Sequence, residues 1–156
     1  MKRALRHIAW SLLAVMWLAG CDDNSCYDNG NSLPLARFCA DGSSTAVTTS
    51  GLTVRGLGAP GDSLLLTDAS VSEMYLPLRA TTSQTQWELS WEADAVADTL
   101  TLTYDTTPAF SNAECGAMYQ FVITAATCTS HRIDSVVVTQ PRVTNVSHVN
   151  LQIYLP

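Results

Sequence analysis

After residue 20 this 156-residue sequence contains no lysine, and its only basic side chains there are five arginines. Without lysine no Ser-x-x-Lys nucleophile can be assembled, and GxSxG and HExxH are absent as well. His131 and His148 are the only histidines beyond His7, so general-base options are few. No CxxC or His-x-x-x-His spacing accompanies the cysteines, which argues against a structural zinc site. No apolar run reaches the ~20 residues of a transmembrane helix. Beyond residue 21 no segment carries a helical stripe. The chain is short of catalytic signatures, of positive charge and of helix.

The first 20 residues have a character of their own. Lys2, Arg3 and Arg6 precede a stretch from Ile8 to Ala19 that is apolar except for Ser11. A basic start followed by a short apolar core is the pattern of a secretory signal. As a helix that core rises only ~18 Å, well short of the ~30 Å hydrocarbon layer. It ends in Leu18-Ala19-Gly20-Cys21, which resembles the lipobox of bacterial lipoproteins. Residues 1–20 are therefore expected to be cleaved and Cys21 to carry the lipid, followed by a short tether over 21–33 and one domain over 34–156. Each buried methylene is worth ~0.8 kcal/mol, so two or three acyl chains hold such a protein firmly to a membrane.

The chain from residue 21 onward sets five arginines against 14 acidic residues, a net charge of −9. Such a chain has no electrostatic affinity for phosphate backbones, so no nucleic-acid partner is expected. Anionic headgroups repel it too, which leaves anchoring to the lipid. With Cys21 assigned to lipid, Cys26, Cys39, Cys115 and Cys128 remain, an even number in an exported chain. Two disulfides are the natural expectation. Three pairings are possible, and spacing does not choose among them.

The periodicity of the domain is two. In TQWELSWE, Thr85, Trp87, Leu89 and Trp91 alternate with Gln86, Glu88, Ser90 and Glu92. Leu100, Leu102 and Tyr104 alternate with threonines, and Val149, Leu151, Ile153 and Leu155 repeat the pattern at the end. Further strands are expected near 34–40, 51–57, 63–67, 73–79, 117–124 and 133–140, with turns at APGD and TTPAFSN. Eight or nine short strands predict an all-β fold, a single β-sandwich of immunoglobulin-like outline, with a β-barrel as the alternative. Trp87 and Trp91 then belong to the core.

Gly56-Leu57-Gly58-Ala59-Pro60-Gly61 matches the dinucleotide fingerprint GxGxxG letter for letter. It leads into a strand instead of opening a helix, so it reads as a hairpin loop and no cofactor is expected. Asp22, Asp23 and Asp28 with Asn24 and Asn29 lack the spacing of a calcium loop and read as solvated tether; no metal is expected. Asp62-Ser63-Leu64, Asp98-Thr99-Leu100, Asp105-Thr106-Thr107 and Asp134-Ser135-Val136 resemble the Asp-Ser/Thr acceptor of Bacteroidota O-glycosylation. Ser63, Thr99, Thr106 and Ser135 are thus candidate acceptors, each requiring an exposed hydroxyl.

The lipobox with a second cysteine five residues on, together with GLTVRGLG, YLPLRA, DTLTLTY, ECGAMYQF and HVNLQIYLP, resembles a family of small Bacteroidota lipoproteins of unknown function. The resemblance implies a lipid-anchored protein of the outer membrane and no known activity. It also implies pairing of Cys26 with Cys115, which leaves Cys39 with Cys128, and a small outer-membrane barrel protein as partner. The acidic residues Asp22 and Asp23 behind Cys21 resemble a surface-export signal in that group. In enteric bacteria an aspartate there would retain a lipoprotein in the inner membrane; the family resemblance favours the outer membrane, and its periplasmic or cell-surface face is left open. On this footing the expected function is a non-catalytic interaction or accessory module. The alternatives are a glycan-binding surface protein using Tyr75, Tyr154 or the tryptophans, and a hydrolase with paired carboxylates.

Overall fold

The computed structural model describes residues 32–58, 63–91, 96–112 and 116–156, with side chains described except at 111, 112 and 116. Ten strands fill these stretches: β1 Leu35–Ala40, β2 Thr49–Leu57, β3 Leu64–Val71, β4 Glu73–Tyr75, β5 Gln84–Ser90, β6 Asp98–Asn112, β7 Gly116–Cys128, β8 Ser135–Val138, β9 Arg142–Val143 and β10 Val149–Leu155. They form a four-stranded sheet, β4-β1-β10-β8, and a six-stranded sheet, β3-β2-β5-β6-β7-β9. The architecture is an all-β sandwich, and the sheets do not close into a barrel.

Two-residue periodicity generates the packing. Along β5, Thr85, Trp87 and Leu89 point inward and are buried, while Gln84 and Gln86 face water. Trp87 belongs with Leu52, Val54, Leu100, Leu102, Phe38, Leu151 and Ile153 to one contiguous core. Both tryptophans of the domain are core residues, Trp87 1% and Trp91 5% exposed. Burying a side chain of that size contributes several kcal/mol, so these positions dominate the core. The C-terminal strand β10 is central in its sheet, parallel to β1 and antiparallel to β8. The first and last strands of the described residues are thereby locked side by side.

The Gly-rich motif lies in the sequence between two antiparallel partners, β2 and β3, and Gly56 N–H donates to the Ser63 carbonyl; residues 59–61 of the motif lie outside the described residues. Gly51 has a different task. It sits in a shifted register of β2 with φ of 74°, and a Cβ there would lie 2.8 Å from the Trp91 carbonyl oxygen.

Three expectations need correction. Ten strands replace eight or nine, because the two-residue β9 carries too little pattern to be read. The fourth strand stops at Tyr75, short of Pro77. The largest difference is TTPAFSN, expected as a turn, which continues β6 as half of a long ribbon with β7. Tyr104 N–H donates to Ser83 on the side away from β7, and alternation gives Pro108 the same outward direction. The N–H that proline lacks therefore falls on the open edge, where no ladder bond is lost. Packing also begins ahead of residue 34, since Ser32 is fully buried. Its hydroxyl donates to the Met118 sulfur of β7 at 3.7 Å.

Candidate functional site

A dense polar cluster lies at one end of the sandwich, around Asp98 at the start of β6. Its side chain is fully buried. One carboxylate oxygen accepts the Thr129 hydroxyl and the His131 N–H, each at 2.8 Å. The other accepts the N–H groups of Arg132 at 2.8 Å and Ile133 at 2.9 Å. Burial alone would raise the Asp98 pKa; the N–H groups of Arg132, His131 and Ile133 and the Thr129 hydroxyl outweigh it and hold the carboxyl below its ordinary value. A carboxylate so held keeps its charge and fixes a loop. It is a poor proton carrier, and His131 contributes its backbone here, not its ring. No local pattern announces this cluster, because the donors lie 31 to 35 residues away along the chain.

Two shallow clefts flank the four-stranded sheet. One, of about 520 Å³, is lined by Asp41, Ser43, Ser44, Ser135, Val137 and Tyr154. The other, of about 480 Å³, lies between Thr48, Thr49, Leu155 and Arg132. The Arg132 guanidinium sits 5.0 Å over the Trp91 ring, whose Nε1–H donates to the Thr49 hydroxyl at 2.6 Å. Tyr75 and Tyr154, the remaining aromatic candidates, lie on the outward face of this sheet. Tyr75 shares a hydrogen bond with Ser147, and Tyr154 donates to Gln152. Among the described residues no group of His, Cys, Asp and Glu could hold a metal ion.

The cysteine expectations divide. Cys21, Cys26 and Cys115 lie outside the described residues. Cys39 and Cys128 are free thiols, so the bond expected between them is not made. Their positions explain this: Cys39 lies in β1 of the four-stranded sheet, and Cys128 ends β7 of the other. Cys39 alternates with the core residue Phe38 and so points out of the sandwich, away from the opposite sheet. Burial raises the Cys39 pKa, against the pull of Arg37; burial and the charges of Asp98 and Asp134 raise that of Cys128.

The four glycosylation candidates also divide. Ser63 is exposed, and Thr99 and Ser135 are half-buried. Thr106 departs from the requirement: its Oγ1 is buried and has no hydrogen-bond partner in the protein. It pairs across the ribbon with Phe121, on the face that leads into the core.

That ribbon carries a feature the sequence pattern concealed. Tyr104 and Phe121 pack edge-on at 5.4 Å near its base. The same face then runs outward through Pro108 opposite Tyr119 and Phe110 opposite Ala117. Here burial stops, with Phe110 71% and Tyr119 50% exposed. The core face thus continues into solvent.

No curated protein and no solved structure matches the chain. A family model described as a family of unknown function, DUF6452, matches residues 51–155, from β2 through the last strand. That span takes in the Asp98 cluster and the whole ribbon, and the chain belongs to this family.

Proposed function

We propose that this protein is a lipoprotein of a Bacteroidota cell, held in the outer membrane by lipid on Cys21, whose sandwich is a non-catalytic interaction or accessory module partnering a small outer-membrane barrel. The observation that carries the reading is the Leu18-Ala19-Gly20-Cys21 ending of the basic-apolar leader, with the acids Asp22 and Asp23 directly behind it. Among the described residues the most deeply buried carboxylate, Asp98, is committed to holding a loop, which supports a scaffold over a catalyst.

A bond between Cys26 and Cys115 fits the same reading. Ser32 touches Met118, three residues beyond Cys115 in the sequence, which brings the start of the described chain to the ribbon. The six steps from Cys26 to Ser32 can reach ~20 Å, ample for the closure. The ribbon and the anchor would then be fastened together.

The test is fractionation of cells carrying the wild type or Cys21→Ala, with intact mass of the membrane-purified protein. An acylated Cys21, with the variant released to the soluble fraction, supports the anchor; membrane association unchanged by Cys21→Ala overturns it. Co-purification of a barrel protein with the wild type supports the accessory role, and a chain that emerges alone counts against it.

A second reading, glycan binding, is favoured by the cleft of hydroxyls around Tyr154, with Ser43, Ser44, Ser135 and Asp41 on its wall. It does not draw on Trp87 or Trp91, which are buried. Loss of oligosaccharide binding in Tyr154→Ala would support it. The hydrolase alternative has only the single acid Asp41 in these two clefts to build on.

A further inference from the structure

We propose that the exposed aromatic face of the outer β6–β7 ribbon is a membrane-contacting surface, with Pro108, Phe110 and Tyr119 seated in the interfacial layer of the bilayer that holds the lipid on Cys21. This rests on the lipoprotein reading above and adds a second, non-covalent contact to it.

Three observations converge. The first is the ribbon's composition. Thr106, Pro108, Phe110, Ala117, Tyr119 and Phe121 occupy one face by register, and none is charged. Phe110 and Tyr119 are diagonal neighbours on it, and both are exposed. A contiguous exposed apolar face marks an interaction surface. Aromatic side chains with an apolar ring favour the membrane–water interface, a tyrosine hydroxyl staying at headgroup level.

The second is where the anchor leaves the domain. Ser32 lies against Met118, which precedes Tyr119 in β7 and by alternation is on the other face of the ribbon. Ten residues separate Cys21 from Ser32, at most roughly 40 Å of chain. The described chain therefore begins, at Ser32, at the ribbon end of the sandwich. The Asp98 loop lies at the other end, where β6 begins and β7 finishes.

The third is charge. A net −9 is repelled by anionic headgroups, so contact by basic residues is not available to this chain. The face formed by Pro108, Phe110, Ala117 and Tyr119 carries no charge of its own and so adds nothing to that repulsion; Glu114, between β6 and β7 in the sequence, lies outside the described residues. The occupant is accordingly the uncharged interfacial layer, not a patch of acidic lipid.

The experiment uses the full lipidated protein, with acylation of Cys21 verified by intact mass, reconstituted in phosphatidylcholine vesicles with plain or brominated acyl chains. Phe110→Trp places a reporter at an exposed position that tolerates substitution; Trp87 and Trp91 are buried and give a constant background. We expect bromines near the glycerol to quench the added emission more than twofold. Ser130→Trp, in the Asp98 loop, should be unaffected. Unquenched emission from acylated Phe110→Trp overturns the membrane contact and leaves the anchor standing. Equal quenching in the two variants also overturns it, because the domain would then lie on the membrane without orientation. Shielding of the Phe110→Trp reporter from bromine together with a dimer in detergent means that a second copy covers the ribbon, again overturning it. Absence of lipid on Cys21 overturns both this inference and the reading beneath it.

Discussion

Asp98 accepts the backbone N–H of Ile133 at 2.9 Å across 35 residues, joining the start of β6 to the loop that leads into β8. Ile133 is itself buried, 1% exposed, so the carboxylate positions a core side chain as it satisfies a backbone donor. Asp98→Asn replaces one oxygen with an NH₂ facing two N–H groups. The variant should lose roughly 2–4 kcal/mol, since hydrogen bonds to charged groups contribute more than neutral ones and the stranded donors are buried. Denaturant unfolding reads this directly, and a loss under ~0.5 kcal/mol would mean the loop is held by other contacts.

The same group sets a pH dependence. The folded-state pKa of Asp98 is depressed, so its contribution is complete above the unfolded value of ~3.9 and disappears as pH falls through the lower folded value. Melting temperature should therefore drop on acidification below about pH 4 in the wild type, and less steeply in Asp98→Asn. Parallel curves for the two proteins would assign acid sensitivity to other carboxylates.

How much of this was legible in the sequence follows from the range of the interactions. Trp87, Leu89, Leu100 and Leu102 announced their burial because a strand's alternation is local, and the sandwich follows from stacking such strands. Pro108 misled for the same reason. Its neighbourhood has turn chemistry, and only the absence of a partner strand beyond Tyr104 makes a proline harmless there. Asp98 reads only as part of an Asp-Thr glycosylation pattern, since nothing near it in the chain reveals its four donors. Phe110 falls in the expected TTPAFSN turn and Tyr119 in the expected strand near 117–124, so nothing local places the two on one exposed face; the β6–β7 register does.

Tyr104 illustrates a second long-range tie. Its hydroxyl donates to the Arg79 carbonyl at 2.9 Å, accepts the Arg79 N–H at 3.0 Å, and lies 2.6 Å from the Thr85 hydroxyl. Arg79 in turn donates from its guanidinium to the Leu57 and Gly58 carbonyls, closing the β2 end. Tyr104→Phe preserves ring packing against Phe121 and strands these partners, for an expected loss of about 2–3 kcal/mol. A chemical-denaturation midpoint equal to wild type would show that Arg79 finds its bonds elsewhere.

The free thiols give a labelling pattern. Cys39 is fully buried and Cys128 half-buried, and both pKa values are raised. In the native protein at neutral pH, iodoacetamide should modify Cys128 slowly and leave Cys39 untouched. Denaturant without reductant should expose both to full alkylation. Peptide mass spectrometry that finds either still blocked in the unfolded chain would mean the thiol is bonded, contrary to the structure.

Thr106 offers a change that should improve the protein. Its Oγ1 is buried with no hydrogen-bond partner in the protein, so folding removes the hydroxyl from water with nothing in exchange. Thr106→Val keeps the β-branched shape that β6 favours and replaces that hydroxyl with a methyl beside Phe121. The expected gain is about 0.5–1.5 kcal/mol, set by the desolvation no longer incurred. The same burial makes Thr106 a poor glycan acceptor, so sugar on the native protein should be sought at Ser63, whose residue is exposed. The two measurements check each other: a destabilised Thr106→Val, or a glycan found on Thr106, would mean that the hydroxyl reaches solvent and the outer part of the ribbon opens away from the core.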